Sequence, residues 1–177
     1  MKYCTKRLKT RSDAQSWPAS VACGLLVCLL TLNAHGETLS GRVVGITDGD
    51  TLTLLDQNNG QHKIRLASID TPEKKQPFGN RSKQSLSDMV FNKIVTVETD
   101  KRDRYGRELG KVLASGKDVN LEQVRAGMAW HYKAYERTQS ATDRKAYADA
   151  ENEAKAVKRG LWVDADPTPP WEWRHRK

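Results

Sequence analysis

Past residue 28 the sequence contains no cysteine. Cys4, Cys23 and Cys28 are its only three, so the remainder can form neither a disulfide nor a thiolate metal site. Histidine is scarce as well: after residue 36 only His62, His131 and His175 remain, with no HxxH or HExxH spacing. GxSxG, Walker A and GxGxxG patterns are also missing. These absences argue against a soft-metal centre, a Ser-His relay and a glycine-rich phosphate cradle. Carboxylate and guanidinium are what is left to build a site from.

The chain has 177 residues, enough for one domain with a real core and a short appendage. Lys2, Lys6, Arg7, Lys9 and Arg11 form a basic start, followed by the 14-residue apolar run "ASVACGLLVCLLTL" (19–32) and the small residues of "AHG" (34–36). This layout predicts a secretory signal peptide over 1–36, cleaved before Glu37. The run is short for a stable membrane span, the alternative being an uncleaved anchor. Neither Cys23 nor Cys28 follows the apolar run, as a lipid-acceptor cysteine would. Without the leader the formal charge falls from +8 to +4, and every cysteine is gone. A modest positive charge permits a polyanionic partner without demonstrating one.

From 38 to 69 the pattern is β: "SGRVVGI", "TLTLL" and "HKIRLASI", joined by the turn-like "TDGD" and the Asn-Gly signal of "QNNGQ". "KIVTVET" (93–99) and "LGKVLAS" (109–115) read as a fourth and a fifth strand, separated by the charged loop "DKRDRYGRE" (100–108). Helical spacing appears in 81–91, in "DVNLEQVRAGM", and in 142–160, where Ala146, Ala150, Ala154 and Val157 make a small-residue stripe. Five strands with about three helices predict an α+β domain, a small closed barrel of the OB-fold type, over 37–163. Trp162 is expected to pack on it, with the Pro- and Trp-rich tail 164–177 a loosely held extension.

Three clusters carry possible chemistry. Asp48 and Asp50 flank a glycine in "DGDT" and can present oxygens to a hard cation, although Asp-Gly is also a common turn. In "IDTPE", Thr71 precedes proline and is held extended, so Pro72 keeps Asp70 and Glu73 off a common helical face. That splayed pair can divide its work between a metal and a water, or be no more than a solvated loop. Arg65 sits in an otherwise apolar strand, and Arg107 follows Tyr105 in "RDRYGR". An arginine among apolar residues needs an anion, either a phosphodiester bound bidentately or a structural carboxylate. Strict strand alternation sets Arg65 and Asp70 on opposite faces, so they meet only if the strand twists, bulges or ends near Ile69.

Taken in order, "DGDT", "IRLASIDTPE", "RYGR" and "GKDVNLEQVRAGMA" resemble the staphylococcal nuclease (thermonuclease) family over residues 40–162. The closest likeness is to secreted bacterial members ending in a "PPWEWR"-like tail. The resemblance implies an OB-fold enzyme that uses one calcium ion to hydrolyse DNA and RNA, leaving 3′-phosphates. It implies Asp50, Asp70 and the Thr71 carbonyl as calcium ligands, and Glu73 as the proposed general base. Arg65 and Arg107 would bind the scissile phosphate, while Tyr105 and Tyr135 would line the nucleotide pocket. Two departures stand out: Lys133 replaces another wall tyrosine, with Tyr132 beside it, and the loop after Glu73 is shorter than in the staphylococcal enzyme. Single-stranded substrate suits aromatic stacking and a shallow cationic groove. The expected protein is an exported monomer, periplasmic or secreted, without stable membrane association. The competing expectation is an OB module that grips single strands without cutting; Glu73, Arg65 and Arg107 favour the enzyme.

Overall fold

The computed structural model describes residues 37–176 and Met1; apart from Met1, the leader expected over 1–36 lies outside the described residues. Five strands build a barrel: β1 (Glu37–Ile46), β2 (Thr51–Leu55), β3 (Gln61–Leu66), β5 (Ile94–Arg102) and β6 (Glu108–Ala114). Antiparallel pairing runs β3-β2-β1-β5-β6, and β3 returns to β6 in parallel, with Ile64, Arg65 and Leu66 opposite Glu108, Leu109 and Gly110. That pairing closes the OB-type barrel expected from the sequence.

Alternation decides which side chains fill it. Leu52 and Leu54 of β2 are fully buried, as are Ile64 on β3, Val97 on β5 and Val112 on β6. The loop expected over 100–108 contracts to 103–107, because β5 continues past a bulge between Thr99 and Lys101. Buried Asn120 rivets the parallel seam. Its Oδ1 accepts from Val112 N at 3.1 Å, and its Nδ2 donates to the carbonyls of Ala67 and Gly110, both at 3.0 Å.

The third β run is broken rather than continuous. After Leu66 the chain turns through Ser68, whose φ of 66° lies in the left-handed region. A two-residue strand β4 (Ile69–Asp70) then pairs with β8 (Trp130–His131), opposing Ile69 to His131 and Asp70 to Trp130. β7 (Lys117–Asp118) leads into α2 (Val119–Arg125), capped by the Asp118 side chain accepting from Leu121 N.

α1 (Gly79–Val90) buries Leu86 and Val90, while α3 (Ala141–Ala156) starts at a Ser140 cap. The buried face of α3 is Tyr147, Ala150, Glu151 and Ala154. The expected alanine stripe is thus offset: Val157 is exposed, because the helix ends at Ala156 and Lys158 turns left-handed at φ 51°. Trp162 packs as expected, 5.3 Å from Trp130 in an edge-on pair.

The tail departs from the expectation of a loose extension. A short helix α4 (Pro170–Trp173) forms behind Pro169, with Trp171 5.4 Å from the Tyr132 ring. Gln76 Nε2 donates to the Thr168 carbonyl. Proline at the start of a helix loses no hydrogen bond and presets φ, which helps so short an element to form.

Candidate active site

The Asp-Gly-Asp turn lies under α1. A Cβ on Gly49 would strike Ser82 Oγ and Cβ and press on Thr71 Cβ, so only glycine lets the helix approach this closely. Beyond it, Asp50 points inward. Its Oδ2 accepts from Thr71 N at 2.9 Å and Thr71 Oγ1 at 2.7 Å, and lies 3.1 Å from Arg65 Nη1. The carboxylate therefore joins β2 to the segment after β4.

Arg65 is the hub. Nη1 donates to the carbonyls of Leu66 and Ile69 at 2.9 and 3.1 Å, and Nη2 donates to Asp70 Oδ1 at 3.0 Å. The turn at Ser68 folds the chain back on itself, so the two residues that alternation would separate now face each other. Pro72 follows, and Glu73 N donates to Gln76 Oε1 at 3.0 Å. Asp70 and Glu73 meet on one more cation, Arg174 of the tail. Its Nη2 donates to Asp70 Oδ2 at 2.7 Å and its Nη1 to Glu73 Oε1 at 2.8 Å. The result is a row of alternating charge: Asp50, Arg65, Asp70, Arg174, Glu73.

Three carboxylates against two guanidinium groups leave that row short of positive charge, and Asp48 adds to the deficit. Burial, then the neighbouring Asp50 charge, pushes the Asp48 carboxyl up to about 6. Burial also raises Asp70, although hydrogen bonds from Arg174 and the charge of Arg65 pull the other way. The hydrogen bond to Asp70, joined by that to Glu73, drives the Arg174 guanidinium further up. Among the described residues no three His, Cys, Asp or Glu side chains already form a metal cluster. The donor set nevertheless consists of hard oxygens carrying excess negative charge, which suits a calcium or magnesium ion and no soft metal.

These residues line a cleft of about 1270 Å³ that also takes in Tyr105, Arg107, Tyr132 and Tyr135. Arg107 stands on the loop between β5 and β6, with Nε and Nη2 both 2.7 Å from Asp103 Oδ2. Asp103 Oδ1 accepts from Tyr105 N and Arg107 N. Burial pushes the Asp103 carboxyl up, but hydrogen bonds from Arg107 and Tyr105 outweigh it and hold the group below its usual range. Tyr105 is 69% exposed, and the Arg107 guanidinium lies 5.7 Å from its ring centre. Tyr135 is 59% exposed and sits 5.3 Å from Tyr132. Arg65, Asp50, Asp70 and Thr71 thus converge in direct contact, Glu73 joins them through Arg174, and Arg107, Tyr105 and Tyr135 share the cleft on the loops that bound it.

Lys133 has a structural part: Nζ lies 3.1 Å from Glu151 Oε2 and 3.3 Å from His131 Nδ1. Tyr132 is the aromatic that faces the cleft there. Sequence reasoning missed Arg174. Its only sequence signal is the proline-led, tryptophan-rich end of the chain, which foretells an ordered segment without saying where it docks.

A family profile described as "Staphylococcal nuclease homologue" matches residues 63–164. An Escherichia coli protein named "Uncharacterized endonuclease" is 49% identical over 140 residues, covering 78% of this chain and 87% of its own. A Haemophilus influenzae protein of the same name is 45% identical over 154 residues, covering 86% and 83%. The "Micrococcal nuclease" of Shigella flexneri is 41% identical over 143 residues, covering 76% and 79%.

Proposed function

The chain belongs to the staphylococcal nuclease family, and from that premise we propose a calcium-dependent phosphodiesterase that cuts DNA and RNA, single strands preferred, to leave 3′-phosphates. The observation that carries this reading is the convergence of Asp50, Arg65, Asp70 and Glu73 in one cleft with Arg107 and exposed tyrosines. A module that only binds nucleic acid needs the tyrosines and arginines but not three carboxylates facing the same space.

In this reading Asp50, Asp70 and the Thr71 carbonyl would hold the calcium ion. When bound, the ion would supply positive charge against the negative charge that builds on the phosphoryl oxygens during hydrolysis. Glu73, the half-exposed carboxylate at the mouth of the row, orients the attacking water and accepts its proton. The new P–O bond replaces the P–O5′ bond, and the departing 5′ oxygen takes a proton from solvent. Arg65 and Arg107 take the phosphodiester oxygens bidentately and stabilise the charge that develops on them. Tyr105 and Tyr135 offer faces for bases to stack on, which any unpaired base can use. We further propose that residues 1–36 are removed on export, leaving a monomer in the periplasm or outside the cell with no lasting membrane attachment.

The test is an assay of the purified protein on end-labelled single-stranded DNA and RNA, with calcium and then with excess EGTA. Cleavage that requires calcium and yields phosphatase-sensitive 3′ ends is the expected outcome. Cleavage that continues unchanged in EGTA overturns the cation assignment. Tight binding with no cleavage under any metal leaves the binding module as the correct description.

A further inference from the structure

The end of the chain reaches the cleft by three contacts of different kinds. Gln76 donates to the Thr168 carbonyl, Trp171 lies 6.4 Å edge-on from Trp130 and 5.4 Å from Tyr132, and Arg174 crosses to the acidic pair. Trp171 is the anchor, and the single turn of α4 places Arg174 three residues beyond it. The guanidinium is therefore presented to Asp70 and Glu73 by a folded segment rather than by a trailing end.

Asp70 is only 2% exposed, and both of its oxygens are engaged: Oδ1 by Arg65 at 3.0 Å and Oδ2 by Arg174 at 2.7 Å. Arg65 is inside the barrel wall and also serves two backbone carbonyls, so it is fixed. Arg174 is 45% exposed and its described side-chain partners are Asp70 and Glu73, so it is the cation that can leave. A calcium ion bound to a carboxylate oxygen sits about 2.3–2.6 Å from it. Sharing Asp70 Oδ2 with a guanidinium already at 2.7 Å would force two positive charges into contact.

We propose that Arg174 is a positioning residue: an internal counter-charge on a C-terminal latch that holds Asp70 beside Glu73 and competes with the divalent cation for them. This rests on the reading of Asp70 as a cation ligand given above. Its consequence is a coupling between two events. While the latch is closed, Glu73 Oε1 is an acceptor for Arg174 and is not available to a water. Entry of the cation displaces Arg174, and the same displacement uncovers Glu73. By linkage, whatever closes the latch weakens the cation by the same factor that the cation weakens the latch.

The experiment is a calorimetric titration of the purified protein with calcium chloride, without nucleic acid and at constant ionic strength. It compares the natural chain with Arg174→Ala, with Trp171→Ala, which loosens the anchor but keeps the charge, and with Arg176→Ala, an exposed cation two residues on. A latch closed nine times in ten lowers apparent affinity about tenfold. Arg174→Ala and Trp171→Ala are therefore expected to bind calcium about tenfold more tightly, with Arg176→Ala unchanged. In the natural chain, calcium is expected to speed hydrogen exchange at the Trp173 and Arg174 amides, which donate to Pro169 and Pro170. Equal or weaker calcium binding by Arg174→Ala overturns the latch, as does an equal gain in Arg176→Ala, which would mean generic charge repulsion. Calcium binding by no variant overturns the cation reading itself, and the latch with it.

Discussion

Arg65 Nη2 and Asp70 Oδ1 stand 3.0 Å apart across a reversal of the chain whose pivot, Ser68, has φ 66°. Tyr132 N donates to the Ser68 carbonyl at 2.9 Å, so the pivot is also held from the β8 side. The acidic and basic halves of the site come together through this one turn, and its left-handed backbone is directly sensitive to the side chain it carries.

Any residue with a Cβ resists the left-handed region, at a cost of about 1–2 kcal/mol that serine already bears, and a β-branched residue resists it more strongly. Ser68→Val is therefore expected to be less stable than the natural chain and to cut turnover further than the stability loss explains. Ser68→Gly removes the strain and should leave stability equal or higher. Thermal melts alongside initial rates check both; a fully active Ser68→Val would show that the pivot does not set the geometry.

Arg65 neutralises two carboxylates that are otherwise buried, Asp50 and Asp70. Removing one partner of such a cluster typically costs about 3–5 kcal/mol, because the remaining charges stay desolvated. Arg65→Ala is expected to lose about that much stability in EGTA and to regain part of it with calcium. Arg65→Lys keeps the charge but not the fork that spans two acids, so it is expected to fall between the two. Denaturant unfolding with and without calcium separates these cases.

Glu73 and Arg107 lie at the mouth of the cleft, half-exposed or nearly so, and neither supports the core. In the proposed role of Glu73, Glu73→Gln takes away the acceptor for the proton of water and is expected to reduce kcat about a hundred- to ten-thousandfold. If Arg107 faces the transition state as proposed, Arg107→Ala is expected to lose about a hundredfold or more in kcat. Both should melt within a few degrees of the natural chain. Rates near normal in both would rule out the assigned site.

Glu151 is buried; Oε1 accepts from His131 N at 3.0 Å, and Oε2 from Lys133 and Lys155 at 3.1 and 3.0 Å. Burial alone would raise its carboxyl, but the hydrogen bond from Lys155 and the charge of Lys133 outweigh it and depress the group below 4.5. A depressed carboxyl stabilises the fold above its unfolded value, and that contribution disappears as pH falls through the folded value. Glu151→Gln is thus expected to be less stable than the natural chain at pH 7, by about 1–3 kcal/mol, with the gap closing in acid below the folded value. Since His131 pairs with Ile69, the loosened strand should also reduce activity at neutral pH. Urea titrations across that range give the comparison.

How much of this was legible beforehand varied with the distance over which each feature is encoded. The barrel strands follow from period-two alternation within five to ten residues, as Leu52 and Leu54 illustrate. The carboxylates of "DGDT" and "IDTPE" are marked by glycine and proline beside them, and by the family resemblance. The meeting of Arg65 with Asp70 was not legible, because serine gives no sign of a left-handed pivot; its conformation is imposed by β4 pairing with β8, far along the chain. Arg174 was less legible still. It reaches Asp70 across 104 positions, and no local pattern reports a contact made at that separation. The offset of the α3 stripe has a nearer cause, since Val157 lies one residue beyond the end of the helix that the alanines share.

Asn120 has a consequence beyond closing the barrel. Its amide grips the carbonyl of Ala67, one residue before the Ser68 pivot, while its oxygen holds β6. The same three-residue parallel junction that shuts the cylinder is thus the abutment from which the reactive turn springs. A chain assembled in this way has no reserve of function once the cylinder gapes: heat that parts β3 from β6 takes the chemistry with it, in one step rather than two.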